Sequence, residues 1–329
     1  MMMVMEMESW CSEAPATPLL TEFGGESFCI CTIVTEPCSM ISTLSTETAQ
    51  YQYTERFPGR ALPLPPSLSG DSITVAECLS VMIQKEQTFL CQDYLSPGTL
   101  LTDETIIVTP ADRTKMVEWC YDFIDKCQLD REIVAIAMNL VDRFFSKPNS
   151  STITIMHFLQ VREQYQLLVV TALYMSIKVH KSEVLGSNFF ADVSRGLYSV
   201  KQIEDTELMI LKQLEFRLCS PTSIQMANHI LSLLLPHVNL SQSTWNCILQ
   251  EVNYQNECTV FDYYFSRQRP STVAVASIIN SLEQVQISEQ DHKALRLALV
   301  MVTTAHDIAQ PTELMDAKNK MQCLVNLSM

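Results

Sequence analysis

Apolar positions recur at helical spacing along most of this chain. From Ile73 the run ITVAECLSVMIQKEQTFL predicts a first helix, closed before Pro97. TPADRTKMVEWCYDFIDKC predicts a second, with Thr109 as N-cap, Pro110 at the first helical position and Asp112 at the positive end of the helix dipole. DREIVAIAMNLVDRFFS predicts a third, starting at Asp130 and stopping before Pro148. A long loop, SKPNSSTITIMHFLQVREQ, leads into an apolar helix near 155–180, and a short helix is expected around 182–192. SVKQIEDTELMILKQLEF opens with a capping box, Ser199 to Gln202. The pattern then restarts: Thr222 and Gln225 predict a second capping box ahead of SIQMANHILSLLL, followed by helical runs at about 241–264, 270–284, 288–306 and 311–325. The spacing thus predicts an all-α protein of two tandem five-helix domains, 71–221 and 222–329.

Residues 1–70 break this pattern. They hold eight Glu, no Asp and two Arg among many Ser and Thr, and end in RFPGRALPLPPSLSG, the composition of a disordered acidic arm with a Pro-rich linker. Only 7 Gly in 329 residues disfavours a chain of hairpins and supports the helical reading. The net charge of −15 argues against nucleic acid as the main partner, which would need a basic footprint. Twelve cysteines with no C-x-x-C pair read as reduced thiols of a cytoplasmic or nuclear protein. With no Lys or Arg before Arg56, a secretory leader is not expected. The uncharged stretch 218–250 contains Pro221, Asn228, His229 and Pro236, so it reads as a buried helix and a turn, not a membrane span.

The chemistry is sparse. No phosphate-cradling, dinucleotide, zincin or nucleophile-elbow motif occurs, and the six His have no metal-ligand spacing. No enzymatic activity, cofactor or metal is therefore expected. One residue stands out: Lys178 follows the uncharged run 164–177. From spacing alone it is most simply the exposed end of a buried helix, its ammonium snorkelling to water.

The neighbouring residues carry a resemblance. RTKMVEW, NLVDRFFS, TALYMSIK and YSVKQIEDTELMILKQLEFRLCSPT, in that order over roughly residues 110–222, resemble the cyclin box. Arg113, Asp142, Leu167, Lys178 and Glu207 match five positions that the family treats as its signature. MIQKEQTFLCQDYLS and RPSTVAVASIINSLEQV are similar to the helices of D-type cyclins. The resemblance implies two cyclin folds and a regulatory subunit that binds and activates a cyclin-dependent protein kinase, in cell-cycle entry or G1/S progression and in the nucleus or cytoplasm. It implies an internal ion pair between Arg113 and Asp142. It places Lys178 and Glu207 together against the kinase, with Leu167 in the same signature although Leu167 alone is most simply core.

It further implies a patch that docks Arg-x-Leu peptides of substrates or inhibitors. Met116, Trp119, Asp122 and Gln166 fit that patch, whereas Asp112 and Lys115 stand where the family prefers apolar groups. SWCSEA is similar to the motif that D-type cyclins use toward retinoblastoma-type pocket proteins, with Cys11 and Glu13 in place and Ser9 instead of leucine. Two further departures are Val179-His180-Lys181 where an acidic pair is common, and the length of the loop after Ser146. The alternative within the resemblance is a transcription-type cyclin or a cyclin-fold scaffold of the transcription machinery. The latter carries a zinc ribbon and a basic DNA-facing surface, and this sequence has neither.

Overall fold

The computed structural model describes residues 72–95, 107–146, 152–180, 185–308 and 311–328. The arm at 1–70, with Cys11 and Glu13, and Lys181 of the Val179-His180-Lys181 stretch lie outside the described residues. Within them are twelve α-helices and no strand: α1 (Ser72–Glu86), α2 (Pro110–Lys126), α3 (Glu132–Ser146), α4 (Thr152–Gln160), α5 (Arg162–His180), α6 (Ser187–Val193), α7 (Val200–Gln213), α8 (Ser223–Leu234), α9 (Gln242–Phe261), α10 (Pro270–Gln284), α11 (Glu289–Ala305) and α12 (Pro311–Ser328). No described helix is long and apolar enough to cross a membrane.

The first bundle is built around α5. Residues 165–177 of this helix are all buried, because α2, α3, α4, α6 and α7 surround it. That is why the run carries no charge: an ammonium or carboxylate on any face would lose its water without a partner. The expected loop after Ser146 holds a further helix, α4, and the single apolar helix expected near 155–180 is broken at Val161. The Val161 carbonyl starts a fresh turn by accepting from Gln164 N and Tyr165 N at 3.0 and 3.1 Å. The capping boxes at Thr109 and Ser199 both form, each with reciprocal bonds to residue N3. At Thr222 the side chain accepts from Gln225 N, but the Gln225 side chain bonds Glu132 instead of closing a box.

The second bundle centres on α8 and α10. Along α10 the small residues Ser271, Ala274, Ser277 and Ser281 are fully buried, so neighbouring backbones approach closely. α1 precedes the first bundle in sequence but packs on α8 and α10, and Leu79 is part of the second core. Glu86, at its last turn, accepts from Ser271 N and Oγ at 2.9 and 2.7 Å and so caps the start of α10. The bundles meet where α9 crosses α2 and α3: Thr114 Oγ1 donates to Phe261 O at 3.0 Å, Arg131 pairs with Glu257 at 2.7 Å, and Tyr121 stacks on Phe261.

Candidate functional site

Lys178 lies in the last turn of α5, where a cation is favoured by the negative end of the helix dipole. Glu207 lies midway along α7, which buries Ile203, Thr206 and Ile210 and turns the intervening residues outward. The packing of α5 on α7 brings Lys178 Nζ within 3.0 Å of Glu207 Oε1, with the two side chains 45 % and 15 % exposed. The Tyr174 ring lies 5.3 Å beneath the ammonium. The hydrogen bond to Glu207 holds the Lys178 pKa above its ordinary value, against the opposing effect of burial. One donor of Lys178 is thus spent on Glu207 within the chain.

Exposed apolar residues occur on the same two helices and just after α7. Val179 and Leu208, the residues after Lys178 and Glu207, are both exposed. Phe216 is 65 % exposed. It stands out because α7 ends on two consecutive left-handed residues, Glu215 at φ 52° and Phe216 at φ 60°. The Phe216 N–H donates to Leu211 O at 2.9 Å, satisfying a helix-end carbonyl by the kind of closure that glycine usually makes. A non-glycine residue in that conformation costs about 1–2 kcal/mol, and here it throws an aromatic ring into water. Leu218 then lines a shallow hollow with Val179, His180 and Leu140. In the sequence Val179 stands out only as part of the departure Val179-His180-Lys181, and Leu208 and Phe216 do not stand out at all. Their only local signal is the lack of Gly or Asn where α7 must stop.

Arg113 and Asp142 form a doubly hydrogen-bonded ion pair, Nε to Oδ1 at 3.0 Å and Nη2 to Oδ2 at 2.8 Å, sealed from solvent on both sides. Burial alone would lower the arginine's pKa; the Asp142 carboxylate outweighs it and holds the guanidinium charged. Two further bonds complete the network. Tyr94 OH donates to Asp142 Oδ1 at 2.7 Å, and Arg113 Nη1 donates to Val260 O at 2.7 Å. The pair therefore ties α2 and α3 to the segment after α1 and to α9 of the second bundle.

Leu167 is not part of the exposed surface. It is 3 % exposed, on the helix at the centre of the first bundle, and its place with Lys178 and Glu207 as a kinase contact is corrected to a core position. Of the peptide-docking set, only Asp122 is exposed. Met116 and Trp119 are buried, Trp119 stacking on Phe123 at 5.6 Å, and Gln166 is buried with its Oε1 accepting from Tyr198 OH at 2.9 Å. Asp112 is not a stray charge in a groove: its carboxylate accepts from Thr109 N and Oγ1, both at 2.9 Å, closing the capping box. Lys115 is exposed.

Comparison with known proteins places these residues in a family. Residues 77–219 match the family described as Cyclin, N-terminal domain. Cyclin-A2-2 of Arabidopsis thaliana is 24 % identical over 189 residues, covering 56 % of this chain and 39 % of the relative. G2/mitotic-specific cyclin-B1 of Oryzias javanicus is 27 % identical over 201 residues, covering 61 % and 45 %. G1/S-specific cyclin-D of Caenorhabditis elegans is 20 % identical over 210 residues, covering 60 % and 49 %. The chain spans less than half the length of these relatives. The match covers α2, α3, α5 and α7, the helices that bring Arg113 to Asp142 and Lys178 to Glu207, so residues 77–219 of this chain carry a cyclin N-terminal domain.

Proposed function

We propose that this protein is a regulatory subunit that binds and activates a cyclin-dependent protein kinase through the face carrying Lys178 and Glu207. The observation that carries the reading is their ion pair at the surface, with the exposed apolar residues Val179 and Leu208 next to it in sequence on α5 and α7. An ammonium beside a carboxylate offers both polarities to backbone groups of a second chain, while the exposed Val179 and Leu208 supply apolar surface that stabilises association. Both residues stand on packed helices, so little order is lost on binding.

A protein kinase needs a mobile helix turned inward so that its glutamate pairs with the ATP-binding lysine. A rigid face that binds only the inward position shifts the kinase population toward it, by as much as the two positions differ in affinity. Phosphoryl transfer then belongs to the kinase, and this chain supplies no reacting group. Cell-cycle entry is the finer reading, supported by the D-type character of the sequences near 81–95 and 270–284. Protein level through a synchronised division cycle tests it: a flat level refutes it.

The test of the main reading is copurification with a cyclin-dependent kinase. The Lys178→Ala/Glu207→Ala variant is expected to bind about 30-fold or more weakly and to lose activation, with only a small fall in its thermal midpoint because the lysine end of the pair is open to solvent. Equal binding and activation by variant and wild type would refute the assignment.

A further inference from the structure

α11 turns one face into the second core, through Leu295, Ala298 and Leu299, and leaves the opposite face in water. On the open face Leu297, Val300 and Met301 stand at i, i+3 and i+4, and are 64 %, 59 % and 57 % exposed. No other described helix exposes three large apolar side chains. A lone exposed leucine is ordinary, but a contiguous apolar stripe along one helix marks a surface for association.

Opposite charges close the two ends of the stripe. Lys293 lies seven residues before Val300, and Asp307 seven residues after it. Seven residues make about two helical turns, so Lys293 shares the face of Val300, and Asp307 stands just past the helix end. Both are exposed. Lys293 holds Glu289 at 2.8 Å in an open i,i+4 pair, an attachment worth little and easily exchanged. Asp307 makes no ion pair among the described residues. Arg296, the other cation beside the stripe, is tied back to Glu283 at 3.3 Å.

We propose that this face docks a second copy of the chain, with the two α11 helices antiparallel about a two-fold axis through Val300. Lys293 of each copy then meets Asp307 of the other, and the apolar residues close around the axis between them. A parallel pairing would set Lys293 on Lys293 and Asp307 on Asp307, so the charge order selects the antiparallel one. The same order selects the occupant: an apolar centre with opposite charges at equal distances is complementary to itself. A contact of one helix with one helix engages fewer residues than the roughly 20–30 a side of a stable interface, and the net charge of −15 repels the copies, so the dimer is a weak one. α11 belongs to the second bundle, and the inference does not rest on the kinase reading.

The test is sedimentation equilibrium of the full-length chain without any kinase, from about 5 to about 500 µM. The wild type is expected to pass from monomer to dimer with a Kd of about 50 µM. Val300→Glu sets two carboxylates against each other on the axis and should weaken the dimer at least about tenfold, with the circular-dichroism melting midpoint unchanged because the position is exposed. Lys293→Asp and Asp307→Lys should each weaken it about fivefold alone, and an equimolar mixture of the two should dimerise as tightly as the wild type, each supplying the charge that the other lacks. Asp307 sits at φ 51°, so Asp307→Asn, which suits that backbone, is the second variant; it should weaken the dimer about twofold by losing the charge alone. A wild type that stays monomeric throughout, a dimer that Val300→Glu leaves intact, or a mixture no tighter than either variant by itself would each overturn the proposal. None of these results touches the Lys178 and Glu207 reading.

Discussion

Asp142→Ala removes one carboxylate and strands three donors. Arg113 Nε and Nη2 lose acceptors at 3.0 and 2.8 Å, and Tyr94 OH loses one at 2.7 Å. Arg113 would remain buried with only the Val260 carbonyl. Breaking a buried ion pair from one side costs about 3–5 kcal/mol, and orphaning a buried hydroxyl adds about 1–3. The expected loss is about 4–8 kcal/mol, a fall of about 10–25 °C in the midpoint for a domain of this size. Urea unfolding followed by helical circular dichroism measures it directly. Arg113→Met/Asp142→Leu should recover part of the loss, because it removes the stranded charge but leaves Val260 O and Tyr94 OH without partners. A loss below about 1 kcal/mol in Asp142→Ala would refute the view that this pair joins the two bundles.

Two other outcomes follow from packing and charge. Leu167→Ala should cost about 2–5 kcal/mol in the same unfolding assay, as expected for a leucine sealed in the centre of the first bundle; an unchanged midpoint would return Leu167 to the surface. Burial raises the Glu86 pKa, opposed in part by its bonds from Ser271 and by Arg269. A carboxyl whose pKa is higher folded than unfolded contributes stability that is complete below the unfolded value and lost as pH rises through the folded one. Glu86→Gln should therefore flatten the fall in stability as pH rises above the ordinary carboxyl value of 4.5, read from urea midpoints across a pH series. An identical slope in wild type and variant would show that Glu86 does not contribute to it.

Where a helix begins was legible in the sequence when the signal is local. Thr109 with Pro110 and Asp112, and Ser199 with Gln202, satisfy the first free N–H groups from within four residues, and both boxes form as the spacing predicts. Thr222 shows the limit: Gln225 has the right spacing, yet its amide goes to Glu132, ninety residues earlier than Thr222, because the joined bundles bring that carboxyl within reach. The break at Val161 was hidden for a related reason. The polar run from Gln160 to Gln164 lies at the break, but with no Pro or Gly between 155 and 180 it does not announce that one helix stops and another starts there.

The candidate site divides the same way. Lys178 and Glu207 were legible as residue types at family positions, and the α5–α7 packing sets them 3.0 Å apart. Phe216 was not, because its exposure comes from a backbone conformation that no residue in EFRL announces. Trp119 and Gln166 were misleading in the opposite sense: they look like surface chemistry in the sequence, but neighbours from α2 and Tyr198 cover them.

α1 has a consequence for how the chain is made. Leu79 completes a core with Leu231, Ala274 and Leu295, and Ser80 Oγ meets His306 Nδ1 at 3.0 Å. During synthesis these early residues leave the ribosome long before their partners exist, and the first bundle emerges in between. This early segment is then the last to settle, left waiting for its far end, where chaperone capture or misassembly has its longest opportunity.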